Sequence, residues 1–176
     1  MESVDYLQPA PEDVVVGPMR IFCKKNPDLN MAVCGNRVLL VKPNPEDETQ
    51  HWFQYYNVGK LTDGTGRRAF VLVNTKTGLA MVDTYNEFFL SNTNNELKLL
   101  PYSGNDEPVI TRMLWSQGHQ LEGGFTEIRT FKDSYMALTA LGGSAVEDGT
   151  VVRIFHSEPE HAESVWKVEP IPSHQQ

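Results

Sequence analysis

The sequence predicts an all-β domain built from three repeats, and three observations carry that prediction. Trp52, Trp115 and Trp166 each close a segment laid out on one plan. Short apolar runs precede each of them. Met19–Cys23 and Val38–Val41 lead to Trp52, Phe70–Val73 and Leu97–Leu100 lead to Trp115, and Phe125–Arg129 and Val151–Phe155 lead to Trp166. No stretch of about 11 residues carries a helical apolar period, and short runs bounded by turn residues read as strands. Repetition at this length means that several strands per unit bury one shared core. Three four-stranded units of this kind make a β-trefoil with pseudo-threefold symmetry, with the units falling at 18–57, 66–118 and 123–169.

Taken in order, residues 1–17 carry Pro9, Pro11, four acidic residues and no periodicity, and read as a flexible arm. Val14-Val15-Val16 could still lie along the first strand. Met19–Cys23 is a strand that ends at the turn Asn26-Pro27-Asp28. Met31-Ala32-Val33 and Val38–Val41 flank Gly35-Asn36, a hairpin tip. Pro43 to Glu48 is a rigid acidic loop that delivers the chain to Gln50-His51-Trp52. In the second unit, Phe70–Val73, the turn Asn74–Gly78, Leu79–Val82 and Leu97–Leu100 follow in turn. The long, amide-rich stretch Asn86–Asn95 reads as a surface loop, and such loops also hydrogen-bond ligands. The third unit opens at Gly123-Gly124-Phe125. It continues through Tyr135–Leu138, the turn Asp148-Gly149, Val151–Phe155 and Val165–Val168. One domain therefore spans 18–169, and Pro170-Ile171-Pro172 breaks the last strand and opens a frayed tail, 170–176.

The bulk numbers narrow the function. The 176 residues are 40% hydrophobic and 22% charged, which suits one domain with a core needing no metal or disulfide. The 15 Lys and Arg face 23 Asp and Glu, a formal charge of −8. That balance opposes nucleic acid, which is bound largely by cations meeting phosphates, and it opposes anionic membrane surfaces. The only adjacent cations are Lys24-Lys25 and Arg67-Arg68, which read as solvated turns. No apolar run approaches the roughly 18 residues of a membrane span. Met1-Glu2-Ser3-Val4-Asp5 lacks the basic start and apolar stretch of a secretory signal. A cytoplasmic or nuclear location is the expectation, with Cys23 and Cys34 as reduced, half-buried thiols on neighbouring strands.

Catalytic and cofactor signatures are missing. His51, His119, His156, His161 and His174 show no metal-ligand spacing, so no metal and no cofactor are expected. No nucleophile-elbow, P-loop or dinucleotide fingerprint occurs. Gly142-Gly143 reads as a hairpin bend, and the acidic runs Glu46-Asp47-Glu48 and Glu158 to Glu160 read as solvated loops. An enzyme is therefore not expected. The three tryptophans read as core.

Collinear motifs carry a family resemblance. They are Met19-Arg20-Ile21-Phe22-Cys23-Lys24, Asp47-Glu48-Thr49-Gln50-His51-Trp52, Ala69–Asn74 with Thr77-Gly78, and Leu97-Lys98-Leu99-Leu100-Pro101-Tyr102. Leu114-Trp115, Gly124-Phe125 with Ile128-Arg129, and Glu147-Asp148-Gly149-Thr150-Val151-Val152 complete the set. Across 18–169 the chain resembles the Euonymus-lectin family of plants, ricin-B-like β-trefoil proteins. The resemblance implies a nucleocytoplasmic, stress-responsive, non-catalytic protein whose partners are glycans or glycoproteins. In such proteins a carboxylate accepts from the sugar hydroxyls, an aromatic ring packs on the C–H face, and an Asn-Gln pair before the repeat Trp completes the polar set.

The third unit is where that set is expected, and its residues depart from the pattern. The acidic position falls on Thr139-Ala140-Leu141. The aromatic end of the third strand reads Ile154-Phe155-His156, and Glu163-Ser164 replaces Asn-Gln. The loop Gly142-Gly143-Ser144 is shorter than the family's. The first unit keeps Gln50 but has Thr49 for Asn and no acid at Cys34-Gly35. The second has Asp83 but Arg112-Met113 where amides are wanted. The candidate sugar site is thus Phe155 or His156 as platform, with Thr139, Asp148 and Glu163 as polar partners, altered from the family's. The alternative is a trefoil that has lost sugar binding and serves protein–protein interaction through its acidic loops and the 86–95 insertion.

Overall fold

A computed structural model describes residues 14–56, 58, 61–84, 97–104, 109–141 and 145–171. Twelve strands are present among them, four to a repeat. The first repeat holds β1 (Val15–Cys23), β2 (Asn30–Cys34), β3 (Arg37–Val41) and β4 (Trp52–Tyr55). The second holds β5 (Val71–Asn74), β6 (Leu79–Val82), β7 (Lys98–Pro101) and β8 (Trp115–Gln117). The third holds β9 (Ile128–Thr130), β10 (Met136–Ala140), β11 (Val152–His156) and β12 (Trp166–Pro170). Helical structure among the described residues is limited to four single 3-10 turns.

The pairing closes a barrel. β1 pairs antiparallel with both β4 and β12, β4 with β5, and β8 with β9. The bridges Phe70↔Trp115 and Thr126↔Trp166 join the first and last strands of the second and third repeats. The circuit β1-β4-β5-β8-β9-β12 returns to β1, so the six strands of the barrel leave no open edge. The hairpins β2–β3, β6–β7 and β10–β11 are the remaining strands. A bridge between Leu39 and Val151 ties the first hairpin to the third. This is a β-trefoil.

Local chemistry explains the elements. β2 and β3 meet in register Cys34↔Arg37 across the two residues Gly35-Asn36, and Gly35 takes a positive φ of 64°. A side chain there would be strained, which is why the tip carries glycine. In β4 alternation places Trp52 and Gln54 inside and Phe53 and Tyr55 toward the outside. A 3-10 turn precedes each repeat tryptophan: Glu48–Gln50, Thr111–Met113 and Ala162–Ser164. Asp47 caps the first, its side chain accepting from the Thr49 N–H.

The threefold relation is carried by repeated hydrogen bonds. Trp52, Trp115 and Trp166 are fully buried, and each donates its indole N–H to the second strand of its own repeat. The acceptors are the carbonyls of Met31, Met81 and Leu138, at 2.8, 3.1 and 2.8 Å. Neighbouring repeats are stitched in the same way. The backbone N–H groups of Lys24, Thr75 and Phe131 donate to the carbonyls of Val165, His51 and Leu114 at 3.1, 2.9 and 3.1 Å.

The main core joins the tryptophans to Ile21, Met31, Leu40, Phe70, Leu72, Met81, Ile128, Leu138 and Ile154. A second cluster lies outside the barrel wall of the second repeat, with Val71, Val73, Val82, Tyr102, Met113 and Leu114. β5 is therefore buried on both faces, which accounts for its unbroken apolar run.

Two boundaries differ from the sequence expectation. β1 begins at Val15, inside the stretch read as a flexible arm over 1–17. Val15 pairs with Tyr55 and Val16 with Gln54 before an irregularity that ends at Met19. Gly17 permits this with a φ of 144°, since a Cβ there would lie 2.7 Å from Phe53 Cδ1. β12 runs through Pro170, which pairs with Met19 as the final strand residue, a position where the missing N–H costs the ladder least. The Asn86–Asn95 loop and Gly142-Gly143-Ser144 lie outside the described residues.

Candidate functional site

The third hairpin positions the candidate residues through its register. Ala137 faces Phe155 and Thr139 faces Arg153. Directly opposed residues project from the same face of a sheet, and successive residues from opposite faces. Met136, Leu138, Ala140, Val152 and Ile154 enter the core. Ala137, Thr139, Arg153 and Phe155 therefore share the outer face. The Ser157 N–H donates to the Tyr135 carbonyl at 2.6 Å and extends the ladder by one pair, which adds Tyr135 to that face.

The face is buried at Thr139 and Ala137 and exposed at its outer end. Thr139 is 2% exposed, Phe155 36% and Tyr135 79%. The Thr139 hydroxyl lies 3.3 Å from the Ser164 hydroxyl of the last 3-10 turn and 3.4 Å from the Ala137 carbonyl. Glu163, half-exposed on the same turn, has Oε1 3.9 Å from His161 Nδ1, which also lies 2.7 Å from Glu158 Oε2.

The other two candidates sit elsewhere on the hairpin. His156 follows Phe155 directly and belongs to the opposite face by alternation. Its exposed ring meets the Phe155 ring edgewise, with centroids 5.2 Å apart. Asp148 occupies the turn before β11, where Oδ1 accepts from the Lys42 N–H at 3.2 Å. Phe155 lies three residue steps along β11 from Val152, roughly 10 Å at the usual rise. The structure thus brings Thr139 beside the Glu163-Ser164 turn, with Phe155 further out on the same hairpin face, and leaves Asp148 and His156 at the margins. Arg153 and Tyr135 complete the face. The sequence reading places both on strands but not in the site, because the register across the long 141–151 connection cannot be counted from the sequence.

The corresponding positions in the other repeats serve the fold. Gln50 is buried, accepting from Asn30 Nδ2 and the Asn44 N–H and donating to the Lys42 carbonyl, each at 3.0 Å. Hydrogen bonding by the Thr49 hydroxyl holds the Asp47 carboxyl below the usual range, against a smaller opposing effect of burial. Asp83 is buried, and its N–H donates to the Arg112 carbonyl at 2.8 Å.

Two further buried carboxylates are bonded internally. Asp63 accepts from the Ser116 and Thr65 hydroxyls, both at 2.6 Å, and from the N–H groups of Thr65 and Arg67. Burial alone would raise its pKa, but these bonds together hold it below the usual range. Glu127 accepts from Arg129 at 3.1 Å and from the Ser157 hydroxyl at 2.5 Å. Among the described residues no three His, Cys, Asp or Glu side chains gather as a metal site, and no helix is long and apolar enough to cross a membrane.

No family model matches the chain. A ricin B-like lectin of rice, Oryza sativa subsp. japonica, is 33% identical over 156 residues, which is 86% of this chain and 43% of that protein. The chain is homologous to the plant ricin B-like lectins. Ricin B-like lectin EULS3 of Arabidopsis thaliana is 26% identical over 160 residues, covering 86% of this chain and 47% of that one. The Euonymus-lectin resemblance read from the sequence is borne out by these relatives. The chain spans less than half the length of both. The designed threefold-symmetric protein ThreeFoil superposes with a TM-score of 0.62 at 16% identity, over 86% of this chain and 96% of that one. That likeness is one of fold, and it agrees with the trefoil seen here.

Proposed function

We propose that the chain is a non-catalytic carbohydrate-binding module whose sugar site lies on the third hairpin and departs from the family pattern. The observation that carries the reading is its homology to ricin B-like lectins over 86% of its length. The outer face of the hairpin supports it. Phe155 and Tyr135 offer aromatic surface for the C–H face of a sugar ring, and Glu163 offers an acceptor for its hydroxyls. Asp148 and His156 flank this strip. Thr139 stands where the family carries an acid, and its hydroxyl already meets Ser164. A hydrogen bond to a charged group is worth about 1.5–3 kcal/mol, so binding is expected to be roughly tenfold to a hundredfold weaker than with that carboxylate in place.

A glycan array with the purified protein, followed by titration of the best glycan, tests this. The expected result is weak binding that falls several-fold in both Phe155→Ala and Glu163→Ala. Binding that survives both substitutions unchanged would move the site off this hairpin.

A second reading is a trefoil without sugar binding that docks proteins. The exposure of Tyr135 beside Phe155 favours it, since protein interfaces also anchor on aromatic rings. A blank array would select this reading. With either one goes an intracellular, stress-related role in cytoplasm or nucleus, as the Euonymus-lectin resemblance implies, without nucleic-acid or membrane partners. A fluorescent fusion found only in secretory compartments would count against that location.

A further inference from the structure

Beside the last 3-10 turn, on the side away from the third hairpin, the structure holds a hollow of about 280 Å³. Its apolar wall is Leu121, Phe125, Pro159, Ala162 and Val165, and its rim carries Lys24, Glu122 and Glu160. Ala162 and Val165 both line the hollow, whereas Ser164, between them in the chain, reaches Thr139 on the hairpin side. One turn of chain separates the two places.

The hollow is built from three segments held by backbone hydrogen bonds. Lys24 and Lys25 donate to the carbonyls of Val165 and Ala162, both at 3.1 Å, and join the first repeat to the third. The loop leading into the third repeat folds on itself, with the Leu121 N–H donating to the Phe125 carbonyl at 2.7 Å and the Gly124 N–H to Leu121 at 3.0 Å. The Phe125 ring is fixed edge-on to Phe22, with centroids 6.0 Å apart, and the Lys167 ammonium lies 5.8 Å from its centre. Such a site is preformed and gives up little entropy when filled.

We propose that this hollow is a second carbohydrate subsite, taking one neutral pyranose ring. The proposal rests on the reading of the chain as a carbohydrate-binding module. The size is that of a small ligand, at the lower end of ordinary ligand pockets. The chemistry matches a ring with an apolar face and a hydroxyl rim. Phe125, Leu121 and Pro159 meet the C–H surface, the Glu122 and Glu160 carboxylates accept from hydroxyls, and the Lys24 ammonium donates to one. Charge selects against other small ligands. An anion would meet two rim carboxylates in a chain of net charge −8, and a cation would meet Lys24 with Lys167 nearby. A neutral polyhydroxyl ring uses both signs and leaves neither charge opposed.

The test uses amide spectra of the full chain titrated with the methyl pyranosides of mannose, galactose, glucose and N-acetylglucosamine. At least one glycoside is expected to shift the amides of Leu121, Phe125 and Ala162. Ala162→Trp, which fills the hollow, should abolish those shifts, while Phe155→Ala leaves them in place. Should Ala162→Trp fail to fold, the rim variant Glu122→Gln with Glu160→Gln serves instead and should raise the Kd for the hollow about tenfold. Shifts confined to the third hairpin and lost in Phe155→Ala would overturn the hollow and leave the carbohydrate reading standing. An absence of shifts at both places with every glycoside would overturn both. Shifts at the hollow alone support this proposal and overturn the hairpin site.

Discussion

The indole nitrogen of Trp52 donates to the carbonyl of Met31 at 2.8 Å, across the 21 residues that separate them in sequence. The bond pins the last strand of the first repeat to its second, and Trp115–Met81 and Trp166–Leu138 repeat it. Each tryptophan thus contributes both buried apolar area and the sole indole donor facing a strand carbonyl inside the core. Replacing any one by Ala should destabilise the protein by about 3–5 kcal/mol. Phe would retain part of the area but leave the carbonyl unpaired, at a cost of about 1–3 kcal/mol. Urea unfolding of the six variants checks this, and near-neutral values at any one position would break the threefold equivalence.

Gln50 makes a sharper claim about the first repeat. Its amide joins Asn30, Lys42 and Asn44 in one buried set of three bonds. Gln50→Ala should cost roughly 1–3 kcal/mol because buried polar groups lose their partners. Ser164, at the equivalent place, has a single hydroxyl contact to Thr139, so Ser164→Ala should cost less. Equal losses for the two, measured by chemical denaturation, would contradict the assignment of a tying role to Gln50 alone.

Asp63 sets a pH dependence. Its folded pKa lies below the unfolded value of about 3.9, because the bonds from Ser116, Thr65 and Arg67 outweigh burial. A depressed carboxyl contributes stability that is full above the unfolded pKa and is lost as pH falls through the folded one. Asp63→Asn should therefore be less stable than the parent at pH 7, by about 1.5–3 kcal/mol for weakened charged hydrogen bonds. The gap should narrow below about pH 4. Parallel unfolding curves at pH 7 and pH 3 decide it, and a gap that is constant or widens at low pH is the opposing result.

The two thiols should react in order. Both are free, Cys23 fully buried on β1 and Cys34 partly exposed at the end of β2. Burial is the largest influence on each and pushes both thiols up from their ordinary pKa, which slows attack on a disulfide reagent. In native protein near pH 8, Cys34 should be modified slowly and Cys23 only on unfolding, giving two thiols per unfolded chain. Fast labelling of Cys23 in the native state would contradict its place in the core.

The third-hairpin face carries a prediction that separates binding from folding. Phe155 and Tyr135 are exposed, so Ala at either should change stability by under about 1 kcal/mol. Glycan affinity should fall about three- to tenfold, the usual worth of one aromatic contact. A stability loss as large as that for a tryptophan would make these residues structural.

The sequence by itself determined the trefoil. Short apolar runs, turn residues such as Gly35-Asn36, and three tryptophans at matching places are local or repeated signals, and each survives without knowledge of the partner strand. The strand end at Cys23, the Asn74–Gly78 turn and the Asp148-Gly149 turn were legible for the same reason. What only tertiary structure decided was which side chains meet. The register Thr139↔Arg153 sits across a connection whose loop length hides the pairing, so Arg153 and Tyr135 joined the candidate face unannounced while His156 fell to the other one. The Lys24 and Val165 backbones lie at opposite ends of the chain and meet only because β12 closes the barrel on β1. The hollow they border exists because of that closure, and no spacing in the sequence encodes it.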